Sequence, residues 1–401
     1  MPPLAAAGAR RAASLTPVTP LPEPDADARA HSERVRAAVV RAIGRADGFL
    51  PFDRYAELVL YAPGLGYYVA GARKFGAAGD FVTAPEVSAL FGATLARQVG
   101  AILAASGARE VVELGAGTGK LAADLLATLA ADGAPTRRYR IVEVSPELRE
   151  RQRATIARLA PAQGAVVEWL DALPATIDGA VVLNEVLDAV PPALVARRGD
   201  ALTERGVVWR DGALALAERP LADPRLAKLA RDRFPPGEYL SELNPAAEAL
   251  VETIATRLVG GALLAIDYGF PRAEYYHPQR REGTLMAHYR HRAHGDPLSW
   301  PGLTDVTAHV DFTAIAEAGE RAGLVVAGFA SQAAFLLSSG LLDRLAATGA
   351  PTSAAYLREA AAVQMLTSPA EMGELFKVLA LARSETIDWP GFALADLAHR
   401  L

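Results

Sequence analysis

Cysteine is missing from all 401 residues, which removes disulfide frameworks, thiolate nucleophiles and zinc–thiolate centres from consideration. Excess charge is missing too. A net charge of -5 is small for this length and offers no broad basic surface of the kind that displaces counterions from a nucleic-acid backbone. No uninterrupted apolar run reaches the ~18 residues a membrane span requires, and no internal repeat is present. A metal site would have to be built from histidine and carboxylate. Of the seven histidines, His288, His291 and His294 recur at intervals of three. Tyr, Arg, Gly and Pro interleave them, so the stretch reads as a solvated or substrate-contacting surface, and no metal is expected. A secretory signal is lacking as well: Met1 to about Ala30 is rich in Ala, Arg and Pro without an apolar core. Arg10, Arg11 and Ser14 precede its first acid, Glu23, and give it some likeness to a mitochondrial transit segment. The reading favours a disordered leader on a cytoplasmic protein, with the mitochondrial matrix as the alternative.

What is present is the composition of an ordinary globular protein, half apolar and 22% charged. The length exceeds one hydrophobic core and predicts a main domain with insertions. Residues 1–30 read as leader and 31–108 as a helical addition, with helices over His31–Gly48, Phe52–Tyr61 and Pro85–Ala105, the last capped by Thr83. From Arg109 the pattern changes to short apolar strands at Glu110–Leu114, Tyr139–Val144, Ala165–Trp169, Ala180–Asn184 and Ala262–Asp267, with helices between the first four. Leu324–Phe329 and Phe376–Ala382 add two more strands. That alternation predicts an α/β fold with a mostly parallel sheet covered on both faces. Residues 109–190 form its first half and 261–401 the remainder. The intervening 191–260 reads as a small insertion of antiparallel strands followed by helices. A second insertion, 271–311, is rich in aromatics, His, Pro and Arg. Insertions at the carboxyl edge of such a sheet are where ligands are gripped.

The run Glu110-Val-Val-Glu-Leu-Gly-Ala-Gly-Thr-Gly-Lys-Leu is a strand, a glycine turn and a helix start, which brings main chain and helix N–H groups against a ligand. The turn comprises Gly115, Ala116, Gly117, Thr118 and Gly119. A dinucleotide fingerprint would place its third glycine at position 120, which is Lys120. The acid ending the next strand, Glu143 beside Val144, lies 28 residues beyond Gly115, against roughly 20 in nicotinamide enzymes. Glu113, just ahead of the turn, opposes a pyrophosphate and favours a cofactor carrying a sulfonium and an ammonium. These features tilt the reading toward S-adenosylmethionine, with a nicotinamide cofactor as the weaker alternative. Asp171, after the third strand, is positioned to accept an adenine amino group or to serve as a turn residue.

Asn184, Glu185 and Asp188 end the fourth strand at the edge that faces a methyl donor, with Asn184 and Glu185 also candidates for cofactor contact. Two carboxylates there suit holding a cationic nucleophile and orienting its lone pair. Asp80, Glu86, Asp267 and His309 are secondary candidates, His309 as a general base.

Several unusual runs occur together and in order: Gly79-Asp-Phe-Val-Thr-Ala-Pro-Glu-Val-Ser, Glu113-Leu-Gly-Ala-Gly-Thr-Gly, Asn184-Glu-Val-Leu-Asp-Ala, Ile266-Asp-Tyr-Gly, Gly283-Thr-Leu, Asp305-Val-Thr-Ala-His-Val-Asp-Phe and Met372-Gly-Glu-Leu-Phe-Lys-Val-Leu. Through them the chain, from about Phe52 to Ser384, resembles the MidA-like methyltransferases. That family includes the mitochondrial arginine methyltransferase that assists assembly of respiratory complex I. The resemblance implies a class I, Rossmann-like methyltransferase fold with a seven-stranded sheet, a helical N-terminal addition and a substrate-covering insertion. It carries cofactor contact to the glycine turn, Glu143, Asn184 and the segment Asp80 to Glu86, which includes Thr83 and Pro85. The implied acceptor is a protein arginine, in the mitochondrial relative that of a complex I subunit. Met286 stands where the resemblance implies an Arg in many relatives, after Gly-Thr-Leu, so a role for that Arg does not carry over to this chain. Methylation of a small molecule, with 271–300 forming its pocket, and a cofactor-binding assembly chaperone without turnover are the alternatives.

Overall fold

The computed structural model describes residues 21–69, 83–384 and 386–401. Asp25 opens the first helix by accepting the Ala28 N–H at 2.8 Å. Helix α1 (Ala26–Arg45) therefore begins inside the stretch that reads as leader, and it buries the stripe Val35, Val39 and Ile43. After β1 (Leu50–Pro51) and α2 (Phe52–Tyr61) come two helices where one was expected, α3 (Ala84–Val87) and α4 (Ala89–Ser106). The break is Ser88, which is extended (φ -158°, ψ 142°) and accepts the Leu90 N–H at 2.9 Å. Its hydroxyl caps the second helix instead of continuing the first. Thr83 stands before α3 without a side-chain cap bond. Although no uninterrupted apolar run marks it, α4 is long and apolar enough by composition to cross a membrane; half of it is buried in this fold.

The alternating segment follows as β2 (Glu110–Leu114), α5 (Lys120–Ala131), β3 (Arg138–Val142), α6 (Pro146–Leu159), β4 (Val167–Leu170) and β5 (Ile177–Asn184). No helix joins β4 to β5, against expectation, because residues 171–176 are too few for a helix with two turns and include Pro174. The small insertion contains β6 (Ala193–Arg198), β7 (Ala201–Arg210), β8 (Ala213–Pro220), α7 (Pro224–Arg233), β9 (Tyr239–Leu243) and α8 (Pro245–Arg257). Tyr239–Leu243 falls where helices were expected, yet it pairs antiparallel with β6. Leu50 of β1 pairs with Val207 of β7, tying this sheet to the N-terminal addition.

The chain continues through β10 (Leu258–Phe270), α9 (Arg272–Tyr275), β11 (Met286–Tyr289), β12 (Arg292–His294), β13 (Asp305–Thr307), β14 (Val310–Asp311) and α10 (Phe312–Arg321). It closes with β15 (Val325–Ser331), α11 (Gln332–Ser338), α12 (Leu341–Ala346), α13 (Ala354–Thr367) and β16 (Phe376–Ala382). His288 and His294 thus sit on the two arms of a hairpin with His291 at its turn, so their interval of three aligns no helical face.

The main sheet runs β15-β16-β10-β5-β2-β3-β4, with β14 added to β10. From β10 to β4 every pairing is parallel, and β16 is antiparallel to both its neighbours. Successive residues serve opposite faces: Val111, Val182 and Leu264 pack with α4 and α5, whereas Val112, Val181 and Leu263 pack with α8 and α10. Each such buried side chain contributes about 1.5–3 kcal/mol, which is why the covered centres of these strands are apolar. Strand order reverses at β2, with β3 on one side and β5 on the other. A crevice opens at the carboxyl ends of strands at such a reversal.

Candidate active site

A cavity of about 310 Å³ lies at that crevice, within the range of small-molecule sites. One wall is the turn after β2, with Gly115, Ala116, Gly117 and Thr118. Gly119 has φ +81°, and a Cβ there would stand 2.9 Å from the Cα of Gln152, so this position combines a left-handed backbone with close approach to α6. Gln152 is fully buried, and its amide donates to the Gly117 carbonyl and to Glu143 Oε2, each at 3.2 Å. Its oxygen accepts the Trp169 indole N–H at 2.9 Å. Glu143 Oε1 takes the Ser145 N–H at 2.9 Å, and burial raises the pKa of this acid. Gln152 therefore fixes the glycine turn and Glu143 relative to each other. No motif announces it, since it is one polar residue in a highly charged helix.

Glu113 is buried beneath the turn and accepts the Tyr139 hydroxyl at 2.5 Å. Burial pushes it up to about 7, against the lowering effect of that bond. Tyr139→Phe leaves a buried carboxylate without this donor, and the expected loss is about 1–3 kcal/mol of stability at pH 8, where Glu113 is ionised. Urea unfolding at pH 8 and at pH 5 checks this, with a smaller loss expected at pH 5, where the acid is protonated.

Thr83, Pro85 and Glu86 bring the N-terminal addition to the cavity, and the Thr118 hydroxyl donates to the Glu86 carboxylate. Asp80 lies outside the described residues. Val144 lines the cavity and is 60% exposed, an apolar surface suited to the face of a base. Asp171 is not in the cavity wall; its carboxylate is solvent-exposed and pairs with Arg149 at 2.7 Å.

At the end of β5, Asn184 donates to Glu185 Oε1 at 3.2 Å. Glu185 holds φ +53°, a left-handed backbone unusual for a residue with a side chain. Burial pushes its carboxyl up to about 8, with Asp188 adding to the rise. Asp188, pushed up to about 6 by burial, accepts the Tyr268 hydroxyl. Asn184 Oδ1 and Asp188 Oδ1 are both buried with no hydrogen-bond partner among the described residues, acceptors ready for cationic donors.

Asp267 and His309 stand behind this wall. Asp267 Oδ2 accepts the N–H groups of Leu187 at 3.0 Å and Asp188 at 3.3 Å, so it holds the loop that carries Glu185 and Asp188. The His309 ring meets Tyr268 edge-on at 5.0 Å and stacks on Phe270 at 5.2 Å. Burial pushes it down to about 4, which leaves it neutral at physiological pH. Neither residue lines the cavity.

The wall also includes residues that residue-by-residue reading did not single out, among them Tyr61, Tyr68, Tyr268 and Asp305. Tyr61 and Tyr68 stack at 5.3 Å, and the Tyr68 hydroxyl donates to Asp305 Oδ1 at 2.8 Å. The aromatic loop after α2 and the run beginning at Asp305 were the available signals.

A seven-stranded sheet with one antiparallel strand, a glycine turn at its reversal point, an acid ending the neighbouring strand and a second acidic wall define an S-adenosylmethionine-dependent methyltransferase. Residues 94–330, more than half of the chain, match the family described as "Putative S-adenosyl-L-methionine-dependent methyltransferase". The chain belongs to this family, in its MidA-like branch, and S-adenosylmethionine is its cofactor. It is 30% identical to the mitochondrial protein arginine methyltransferase NDUFAF7 of Mus musculus, over 84% of this chain and 82% of that one. The Drosophila melanogaster homologue is also 30% identical, over 94% and 90%. A Burkholderia thailandensis protein whose crystal structure holds S-adenosyl-homocysteine is 52% identical, with a TM-score of 0.92 over 95% of this chain and all of that one.

Proposed function

We propose that the chain methylates a guanidinium nitrogen of a protein arginine. The observation that carries this reading is the acceptor wall, where Glu185, Asp188 and Asp305 share one cavity with Tyr61, Tyr68 and Tyr268. Carboxylates bind a planar guanidinium through paired hydrogen bonds, and aromatic faces favour a delocalised cation. The names of the mouse and fly relatives support the same acceptor. The family resemblance extends the proposal to a complex I subunit as target.

The residues divide the work. The glycine turn, Glu113 and Glu143 hold the cofactor, with Asn184 facing its cationic end. When bound there, the cofactor supplies a methyl group activated by a sulfonium. Glu185 and Asp305 hold the acceptor cation, and Tyr268 fixes the orientation of Asp188. As the acceptor nitrogen gains its methyl group it releases one proton, and the Asp188 carboxylate is the group placed to take it.

A pH dependence follows. Carboxyls raised to about 6 and about 8 are protonated at low pH, and a cation must expel those protons to bind. Acceptor kcat/KM should rise with pH between about 5.5 and 8.5 and then level. In Glu185→Gln the upper part of that rise should disappear, leaving the part near pH 6. A profile that falls with pH contradicts the assignment.

The acceptor itself is tested by incubating purified enzyme and labelled S-adenosylmethionine with protein from cells lacking it, then hydrolysing to amino acids. Label in methylated arginine is the expected result. Label confined to other residues or to small metabolites overturns the proposal.

A further inference from the structure

Glu242, on β9, is outside the cavity and 2% exposed. Its Oε1 accepts the N–H groups of Thr284 and Leu285, each at 2.9 Å. Its Oε2 accepts the Tyr275 hydroxyl at 3.1 Å and those of Thr284 and Ser241 at 3.2 Å. These five donors saturate the roughly four lone-pair sites of a carboxylate, and three of the donor residues belong to the substrate-covering stretch 271–311. A Cβ on Gly283, where φ is +75°, would overlap the same carboxylate.

Two routes lead from this clamp to the acceptor wall. Leu285 directly precedes β11, and β11 pairs with β13 so that His288 stands opposite Asp305. Through the second route, the Thr284 hydroxyl accepts the His309 N–H at 3.0 Å. The His309 ring abuts Tyr268, whose hydroxyl donates to Asp188. The glycine turn and Glu143 are held from elsewhere, by β2, β3, α5 and α6.

We infer that Glu242 is a positioning residue for methyl transfer, setting the acceptor wall through Thr284 and Leu285 without acting on the cofactor wall. The inference rests on the acceptor lying against Asp188, Tyr268 and Asp305, as proposed above; it does not require that acceptor to be arginine.

The test uses two variants that disturb the clamp from opposite sides. Glu242→Gln turns an amide toward N–H donors, and Gly283→Ala pushes on the carboxylate. Each is compared with wild type for S-adenosyl-homocysteine affinity by calorimetry. Methyl transfer from labelled S-adenosylmethionine is then followed against increasing concentrations of protein from cells lacking the enzyme. Since sub-ångström misplacement of reacting groups is costly, about a tenfold or larger fall in apparent kcat/KM for acceptor is expected, with cofactor affinity within about twofold of wild type. Amide exchange in residues 284–289 and 305–309 should quicken in parallel.

Asp396 provides the comparison for a purely structural carboxylate. It accepts the Phe329 N–H at 3.0 Å and the Ala398 N–H at 2.9 Å, away from the cavity. Asp396→Asn should lower the melting temperature and leave acceptor kinetics unchanged. Wild-type acceptor kinetics in both clamp variants, or cofactor affinity falling in proportion to rate, overturns the inference. If Glu242→Gln does not fold, Gly283→Ala decides. Label on an atom other than arginine would overturn the proposed function alone, because the split between acceptor and cofactor effects would still be read.

Discussion

Glu185→Gln is expected to lower methyl transfer by about 10²- to 10³-fold, the usual cost of removing a charged group aimed at the reacting centre. S-adenosyl-homocysteine should still bind within about threefold, because Glu143 and the glycine turn are untouched. The same variant should melt at a higher temperature than wild type at pH 8. Glu185 is raised to about 8 in the folded protein, well above the ordinary value for an unfolded chain, so the folded state holds its proton more tightly. Stability contributed by that proton is fully present below the ordinary carboxyl range, is lost as pH rises from there to about 8, and levels off above it. Glutamine carries no charge to bury and removes this loss. Higher stability with lower activity is the signature of a strained functional residue, and the left-handed backbone of Glu185 agrees with it. Activity retained at the wild-type level would remove Glu185 from the acceptor wall.

Gly119→Ala is expected to act on the other wall. Its Cβ would sit 2.9 Å from the Gln152 main chain at φ +81°, so either the turn or α6 must move. Movement breaks the Gln152 bonds to Gly117 and Glu143. Backbone strain of this kind costs about 1–3 kcal/mol. Falling on the bound state, it corresponds to a loss of about 5- to 150-fold in S-adenosyl-homocysteine affinity. Calorimetry checks the figure. Wild-type affinity would mean that the turn is not a cofactor wall.

The parts of this fold that were legible in the sequence share one property: their signal is local. Strands β2, β5, β10 and β16 carry apolar runs buried on both faces because helices cover both sides, and those short runs betray them. The Gly115–Gly119 turn packs its information into five residues. Ser88 shows where locality misleads, since a helical pattern runs straight across it while its own hydroxyl starts a new helix. Tyr239–Leu243 misleads in another way, because that strand is dictated by its pairing with Ala193–Arg197.

The site divides along the same line. Glu185 and Asp188 sit beside a recognisable strand end and were readable. Tyr68 and Asp305 are 237 residues apart in the chain, and only folding makes them a pair. Asp267, an acid at a strand end, has every outward sign of a catalytic group, yet its carboxylate is occupied by the N–H groups of Leu187 and Asp188. Residue type and position announce an acid; the donors around it decide its task. Gln152 and Glu242 lie at the opposite extreme, unremarkable in sequence and fully engaged in space.

The central claim is that this acidic and aromatic wall receives a protein arginine. Quantitative mass spectrometry of arginine methylation, comparing cells that make the wild-type protein with cells that make only Glu185→Gln, tests it most directly. The account predicts methylation lost from one or a few specific arginines in the variant cells and restored by the wild-type chain. An arginine methylation pattern identical in both, with the variant protein folded and cofactor-bound, would contradict it.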